Sequence, residues 1–195
     1  MIPKLIRLGV ENVLKIICEK IIIKNIEIID KDKKLNRKID KLFIKAESII
    51  FNKINISNII INLKDVIIRF KFNKKIFFIE NCDASIHMRL SKDNINKTLC
   101  NKKWKNLKTS IESFISKSFN SIDINDKLIY FISSDGLWNT NIYYSLQYDK
   151  NTISLVNTIT QEKFSILNDK NIIINNLFFY ENYIEVELSS KIIFN

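Results

Sequence analysis

Hydrophobic and polar residues alternate with different periods along the chain, and these periods predict the order of its elements. Over residues 3–20 apolar side chains recur every three or four positions, which predicts an amphipathic helix with a narrow polar edge. Residues 21–30, 39–50, 54–72 and 75–90 are rich in β-branched Ile or alternate apolar with polar, which predicts four long strands. Because the apolar stripe of the helix is wide, we expect this helix to be mostly covered in the core, and a helix that lies on a membrane surface is the less favoured alternative.

The middle of the chain returns to a helical pattern. Ser91 can cap a helix whose Ile95 and Leu99 face inward, and a second helix is predicted from about Lys105 to Phe119. Six further strands are predicted at 127–133, 140–148, 152–158, 161–167, 171–179 and 183–194. Turn signals stand at Asp135-Gly136, 149–151 and 168–170.

These patterns together predict an α+β fold. It consists of a long, curved antiparallel β-sheet wrapped around the N-terminal amphipathic helix, with one or two further helices near the middle. The alternation changes parity at Lys64–Asp65, which predicts a β-bulge. No repeat or shift in composition divides the chain, so residues 1–195 are predicted to form a single domain. The pattern leaves open whether residues 127–195 join the first sheet or form their own.

The composition excludes several classes of enzyme. The 195 residues include two glycines and one proline, so neither a P-loop nor a dinucleotide-binding fingerprint can be written. One histidine and three cysteines without Cys-x-x-Cys or His-x-x-x-His spacing predict no zinc site. We therefore expect no metal and no cofactor.

Side chains suited to catalysis occur, but not in a catalytic pattern. Asp83, Ser85 and His87 alternate onto one strand face, and no Gly-x-Ser-x-Gly nucleophile elbow is present. The interpretation favoured here is a polar strand face in water. Glu185 and Glu187 are likewise expected at a solvated edge. The sequence thus predicts that the protein is not an enzyme.

Charge is distributed unevenly along the chain. The net charge is +10, composed of +9 over residues 1–90, +5 over 91–120 and −4 over 121–195. A basic surface attracts nucleic acid or an anionic membrane. Codon bias in an AT-rich genome also raises Lys, Ile and Asn, but does not account for the change of sign near residue 120.

One segment concentrates the basic residues around an indole. Its members are Lys97, Lys102, Lys103, Trp104, Lys105 and Lys108. Trp favours the membrane–water interface, and lysines favour anionic headgroups, so membrane contact is one interpretation. Stacking on single-stranded nucleic acid is a second. The third is a Trp that anchors the start of a helix, surrounded by solvated lysines.

The apolar runs bear on location. The longest runs fall far short of the roughly 18 residues that a membrane-spanning helix needs. Glu11 and Lys15 interrupt the apolar part of the N-terminus, so no signal peptide is predicted. Cys18, Cys82 and Cys100 are unclustered and are expected to be reduced. A cytoplasmic location is therefore expected.

The segment LNRKIDKLFIKAESIIFNKINISNIIINLKDVIIRF, followed by ASIHMRLSKDNINKTLCNKKW, resembles the LmeA-like phospholipid-binding family, which has many cyanobacterial members. The pattern Leu-Ser-x-x-Asp-hydrophobic-Asn-x-x-Leu, followed by Trp, corresponds to residues 90–99 and Trp104. Asp93 stands one position earlier than in the family pattern, and Asn94 precedes the hydrophobic residue. The resemblance implies a tubular-lipid-binding architecture that holds acyl chains in a trough, acting peripherally at an inner or thylakoid membrane.

The sequence thus leads to a non-catalytic protein that binds or transfers phospholipid or glycolipid at a membrane surface. Its expected partners are lipid acyl chains and an anionic membrane surface. Eight residues are predicted to line the apolar trough, although each could be ordinary core: Leu5, Leu8, Ile44, Ala46, Ile61, Leu63, Ile86 and Met88. The alternatives are a basic nucleic-acid-binding module, with nucleic acid the less favoured partner, and a membrane-assembly scaffold without a ligand.

Overall fold

A computed structural model describes residues 2–30, 38–71, 76–125, 127–133 and 143–193. The predicted α+β class is confirmed, because an N-terminal helix accompanies two antiparallel sheets of six and five strands. The elements in chain order are α1 (Ile2–Ile17), β1 (Lys20–Ile29), β2 (Lys38–Phe51), β3 (Ile54–Lys71), β4 (Ile76–Ser91), α2 (Lys92–Leu99), a short 3-10 turn (Lys102–Trp104), α3 (Lys105–Ile115), β5 (Ser121–Asn125), β6 (Leu128–Ile132), β7 (Tyr144–Asp149), β8 (Thr152–Asn157), β9 (Lys163–Asn168), β10 (Ile173–Tyr180) and β11 (Tyr183–Ile193).

The six-stranded sheet has the order β1-β2-β3-β4-β11-β10, so the two last strands of the chain join the four predicted long strands. Its inner face is apolar from edge to edge, because the alternating positions of neighbouring strands are in register. One row across the sheet consists of Ile26, Ile44, Ile61, Ile86, Leu188 and Ile174. Branched aliphatic side chains fit a pleated surface well, so such rows stabilise the long strands.

The parity change predicted in β3 is a real irregularity. Asp65 has a positive φ of 51°, and the β3–β4 register shifts between Lys64 and Ile67. The bulge restores the inward orientation of Val66, which is completely buried. Ser48 in β2 has a positive φ of the same size and lies where the buried positions change from Ala46 to Ile49.

Helix α1 packs against the inner face with one side only. Ile6, Val10 and Leu14 contact the buried cluster of the long strands. Leu8, Val13, Ile16 and Ile17 are exposed. The prediction that this helix is mostly covered is therefore wrong, because its apolar stripe is wider than the surface it meets.

The second sheet has the order β5-β6-β7-β8-β9, and α3 covers it with Ile111 and Ile115. The strands predicted at 127–133, 140–148, 152–158 and 161–167 correspond to β6–β9. Strand β5 was not predicted, because its five residues contain only two apolar positions. The turns predicted at 149–151 and 168–170 join strands as expected. The predicted turn at Asp135-Gly136 lies outside the described residues.

A third cluster joins the two sheets. Ile184, Val186 and Leu188 of β11 are buried together with Ile124 of β5, and Leu146 of β7 packs against them. The sequence left the partner of residues 127–195 open. The structure shows that this region divides, since β10 and β11 complete the first sheet while β6–β9 belong to the second.

Candidate functional site

Six of the eight residues predicted to line a trough lie together on the inner face, on three adjacent strands. Their alignment follows from the register: Ile44 of β2 pairs with Ile61 of β3, which pairs with Ile86 of β4. The remaining three members are Ala46, Leu63 and Met88. The structure therefore brings the predicted sheet residues into one continuous apolar area.

The two predicted helix residues are placed differently. Leu8 on α1 is 54% exposed, so it faces away from this area. The side chain of Leu5 lies outside the described residues. Ile44, Ala46 and Leu63 are buried, and Ile61 packs into the same cluster as the side of α1 that meets the sheet. The helix thus occupies part of the surface over which an acyl chain was predicted to lie.

The predicted basic patch is built around the 3-10 turn and the start of α3. The indole Nε1 of Trp104 donates to the backbone oxygen of Asn52 at 3.3 Å. The ammonium group of Lys103 donates to the side-chain oxygen of the same Asn52. Trp104 therefore anchors the 3-10 turn to the β2–β3 turn.

The other lysines of the patch are not equivalent. Lys97, Lys102 and Lys105 are exposed. Lys108 is half-buried, with its ammonium 3.9 Å from the carboxylate of Glu112 and 5.1 Å above the ring of Phe119. Lys108 therefore contributes to packing beneath α3 more than to an open cationic surface.

The turn that Trp104 contacts is a tight hairpin. Asn52 and Lys53 both have positive φ, 52° and 66°, and they connect the paired residues Phe51 and Ile54. Two successive positive φ values define a type I′ turn, which matches the twist of the flanking strands. Asn tolerates this conformation, whereas Lys does so at a cost.

The end of α1 is fixed to the same turn. Cys18, directly after the helix, is buried among the β2 and β3 residues Ala46, Ile49 and Ile56. The backbone N–H of Glu19 donates to the oxygen of Ile50 at 2.8 Å. Its carboxylate accepts hydrogen bonds from the backbone N–H and the ammonium of Lys53, and the ammonium in particular lowers the pKa of this carboxyl group.

We call the resulting assembly the helix–hairpin end. It comprises the end of α1 (Ile16–Glu19), the β2–β3 turn (Phe51–Lys53) and the 3-10 turn (Lys102–Trp104). Large apolar side chains are exposed here, with Ile16 at 81%, Ile17 at 51% and Phe51 at 45%. These three residues are not among the predicted site residues, because their periodicity predicts that the isoleucines lie in a covered stripe. Only their proximity to the basic patch in three dimensions distinguishes them.

The outer face of the six-stranded sheet holds a paired charge cluster. Arg89 donates from Nε and Nη2 to Oε1 of Glu185, at 2.8 and 2.6 Å. Nε2 of His87 lies 3.3 Å from the second carboxylate oxygen. Glu185 is only 8% exposed, so the expectation of a solvated edge is wrong for this residue. Its burial is stabilised by the hydrogen bonds from Arg89, whose guanidinium also lies 4.4 Å above the ring of Tyr183.

The described residues restrict other chemistries. Within them, no three His, Cys, Asp or Glu side chains are grouped so that they could hold a metal ion. None of the helices described here is both long and apolar enough to cross a bilayer. Ser85 and Asp83 are exposed on the outer face, as the sequence predicts. Comparison of the chain with family models, with curated proteins and with solved structures returned no match.

Proposed function

We propose that the protein is a non-catalytic lipid-binding protein that binds or transfers phospholipid or glycolipid at a membrane surface. The single observation that carries the proposal is the continuous apolar row across all six strands of the first sheet, in which Ile61 and Ile86 are only half-buried. The exposed lysines of the basic patch, Lys97, Lys102 and Lys105, accompany it. Such an area matches an acyl chain in polarity, and the lysines match an anionic headgroup. The resemblance to the LmeA-like family supports the same function.

The position of α1 defines how an acyl chain would enter. Ile6, Val10 and Leu14 cover the inner face, and none of the described α1 side chains is fully buried. We propose that the acyl chain lies along the edge of α1, against the half-buried side chains of Ile61, Ile86 and Met88, whose other sides pack into the neighbouring core clusters. The cell compartment proposed is the cytoplasm, with peripheral attachment to an inner or thylakoid membrane.

Native mass spectrometry of protein purified without detergent tests this function. We expect about one phospholipid or glycolipid per chain, identified after organic extraction. The matched variants are Met88→Trp, which fills the inner face, and Ile60→Trp, which adds the same ring to the outer face. Only Met88→Trp should lose the lipid.

Two outcomes contradict the proposal. A bare protein that also fails to take up lipid from mixed liposomes removes the lipid-binding function. Equal lipid retention by both Trp variants removes the proposed site. If the bare protein instead binds single-stranded DNA with a steep dependence on salt, the basic nucleic-acid-binding alternative replaces it.

A further inference from the structure

We propose that the helix–hairpin end is the point at which this protein inserts into a bilayer rich in anionic phospholipid, with Ile16, Ile17 and Phe51 entering the acyl region. This inference rests on the proposed function and extends it by naming the docking surface, its orientation and its lipid partner. It follows from four properties of this end: exposure, rigidity, charge and side-chain chemistry.

Exposure at this end is unusual for aliphatic side chains. Ile16 has the largest exposed fraction among the large hydrophobic residues that the structure describes. Ile17 follows it in the chain, and Phe51 follows Ile50, whose backbone oxygen accepts a hydrogen bond from the N–H of Glu19, two residues after Ile17. Exposed apolar groups clustered at one tip mark a surface that is covered by a partner.

The cluster is presented on a rigid support. Buried Cys18 and the Glu19–Lys53 contacts hold the end of α1 against the hairpin. The Trp104 indole also contacts the hairpin, through the backbone oxygen of Asn52. Insertion therefore requires no ordering of a flexible loop, which would oppose binding.

Charge identifies the partner as anionic. Three exposed lysines belong to this end or adjoin it in the chain: Lys20 follows Glu19, Lys102 is part of the 3-10 turn, and Lys105 follows Trp104. The carboxylate of Glu19 is already paired with Lys53. A second copy of the same cationic end would be repelled, whereas anionic headgroups are attracted.

Side-chain chemistry separates a bilayer from nucleic acid. Single-stranded nucleic acid binds through aromatic faces on which bases stack. Among the three exposed residues only Phe51 has such a face, whereas Ile16 and Ile17 have none, and the Trp104 indole N–H is directed at the hairpin. Aliphatic side chains beside long lysines, which can extend to the headgroups, match the acyl–headgroup boundary instead.

Sedimentation with vesicles tests the insertion point. The vesicles contain phosphatidylcholine alone or phosphatidylcholine with phosphatidylglycerol in a ratio of about two to one. We expect Ile16→Ser combined with Ile17→Ser to weaken binding to the anionic vesicles by about tenfold or more, because two apolar side chains no longer leave water. The matched control is Ile159→Ser, which removes an Ile that is 64% exposed in the turn between β8 and β9 and should bind as the unmodified protein does.

The charge contribution has its own pair of variants. Lys102→Gln combined with Lys105→Gln should weaken binding severalfold at low ionic strength, and the difference should shrink at high salt. Lys163 in β9 and Lys170, between β9 and β10, are also exposed but are not part of this end. Lys163→Gln combined with Lys170→Gln should therefore leave binding unchanged. Equal effects of the two pairs would overturn the assignment of the cationic surface.

Depth is measured with an environment-sensitive fluorophore in a Cys100→Ser background, which removes the exposed native thiol. A probe on Ile16→Cys should shift to the blue and brighten on anionic vesicles, whereas a probe on Ile159→Cys should not. A response at both positions, or at neither, overturns the proposed orientation. Protein that carries and transfers lipid but shows no selective response at Ile16 retains the proposed function and loses this inference. Protein that inserts at Ile16 but carries no lipid retains this inference and loses the proposed function.

Discussion

The apolar faces of the two sheets are each covered by a helix, but to different extents. Strands β1–β4 have 10 to 18 residues, and their aliphatic inner face meets a helix that uses only one side. Strands β5–β9 have five or six residues each, and α3 covers them with two buried isoleucines. Apolar side chains of α1 therefore remain exposed to solvent at the first sheet, whereas the two apolar side chains with which α3 covers the second sheet are buried.

The cores differ in the same sense. The second core is aromatic, with Phe131 in edge contact with Phe119 at 4.8 Å and with Tyr144 at 5.2 Å. Such rings bury large areas in a short span and therefore suit short strands. The charge divides along the chain instead: residues 1–90 carry +9, whereas residues 121–195, which include β10 and β11 of the first sheet, carry −4. The exposed apolar side chains of α1 are therefore the feature of the first sheet on which the proposed docking surface depends.

The largest expected effects come from removing one buried leucine from each sheet. Leu42→Ala in β2 and Leu155→Ala in β8 should each lower the free energy of unfolding by about 2–5 kcal/mol, because both side chains are almost completely buried. Urea unfolding followed by circular dichroism and by tryptophan fluorescence measures this. Because the β11 cluster joins the sheets, we expect a single transition in both variants. Two separate transitions would contradict this expectation by showing that the sheets unfold independently. Leu8→Ala, on an exposed position of α1, is the control and should change the free energy of unfolding by about 0.5 kcal/mol or less.

The next effect concerns the charge cluster that ties β11 to β4. Glu185→Ala should lower the free energy of unfolding by about 1–3 kcal/mol, because Arg89 loses two hydrogen bonds to a buried carboxylate. Glu181→Ala, in the exposed turn between β10 and β11, is the matched control and should change little. Thermal unfolding of both variants is the measurement. Equal stabilities would show that the cluster does not contribute to joining β11 to the first sheet.

A smaller effect, of opposite sign, is expected where non-glycine residues adopt positive φ. Ser116, at the C-terminal cap of α3, has a φ of 56°, so Ser116→Gly should raise the free energy of unfolding by about 0.5 kcal/mol. Lys53→Gly relieves the same strain in the first sheet but removes the contact with Glu19. We therefore expect less gain from Lys53→Gly. A larger gain there than at Ser116 would contradict the structural role of the Glu19 contact.

The smallest effect is a pH dependence at the helix–hairpin end. Because Lys53 lowers the pKa of Glu19 from its ordinary value of 4.5, the folded state binds this proton less readily than the unfolded state. Stability from this pair is therefore present above pH 4.5 and is lost as pH falls through the lower folded pKa. An NMR titration of the Glu19 carboxyl should give a pKa below 4.5, with faster exchange of the Lys53 amide at acidic pH. Glu19→Gln should remove this pH dependence, and an unshifted Glu19 would contradict the contact.

Much of the fold was predictable because the signals were local. The parity change at Lys64–Asp65 predicted the β3 bulge, and alternation predicted the long strands to within a few residues. Short β5 carried too few apolar positions for a periodic signal. Glu185 also escaped prediction, because a glutamate on a strand is ordinarily solvated and its partner Arg89 is 96 residues away.

The sequence by itself determined the types of all described elements except β5, the apolar inner face and the excess of positive charge in the first 120 residues. These properties depend on the period and identity of neighbouring residues, which act over a few positions. Only the tertiary structure decided that β10 and β11 complete the first sheet and that four of the described apolar side chains of α1 are exposed. It also decided that the C-terminal end of α1 and Trp104 both contact the β2–β3 hairpin. Such contacts depend on how much surface each element finds opposite it, and no local pattern in the chain records that quantity.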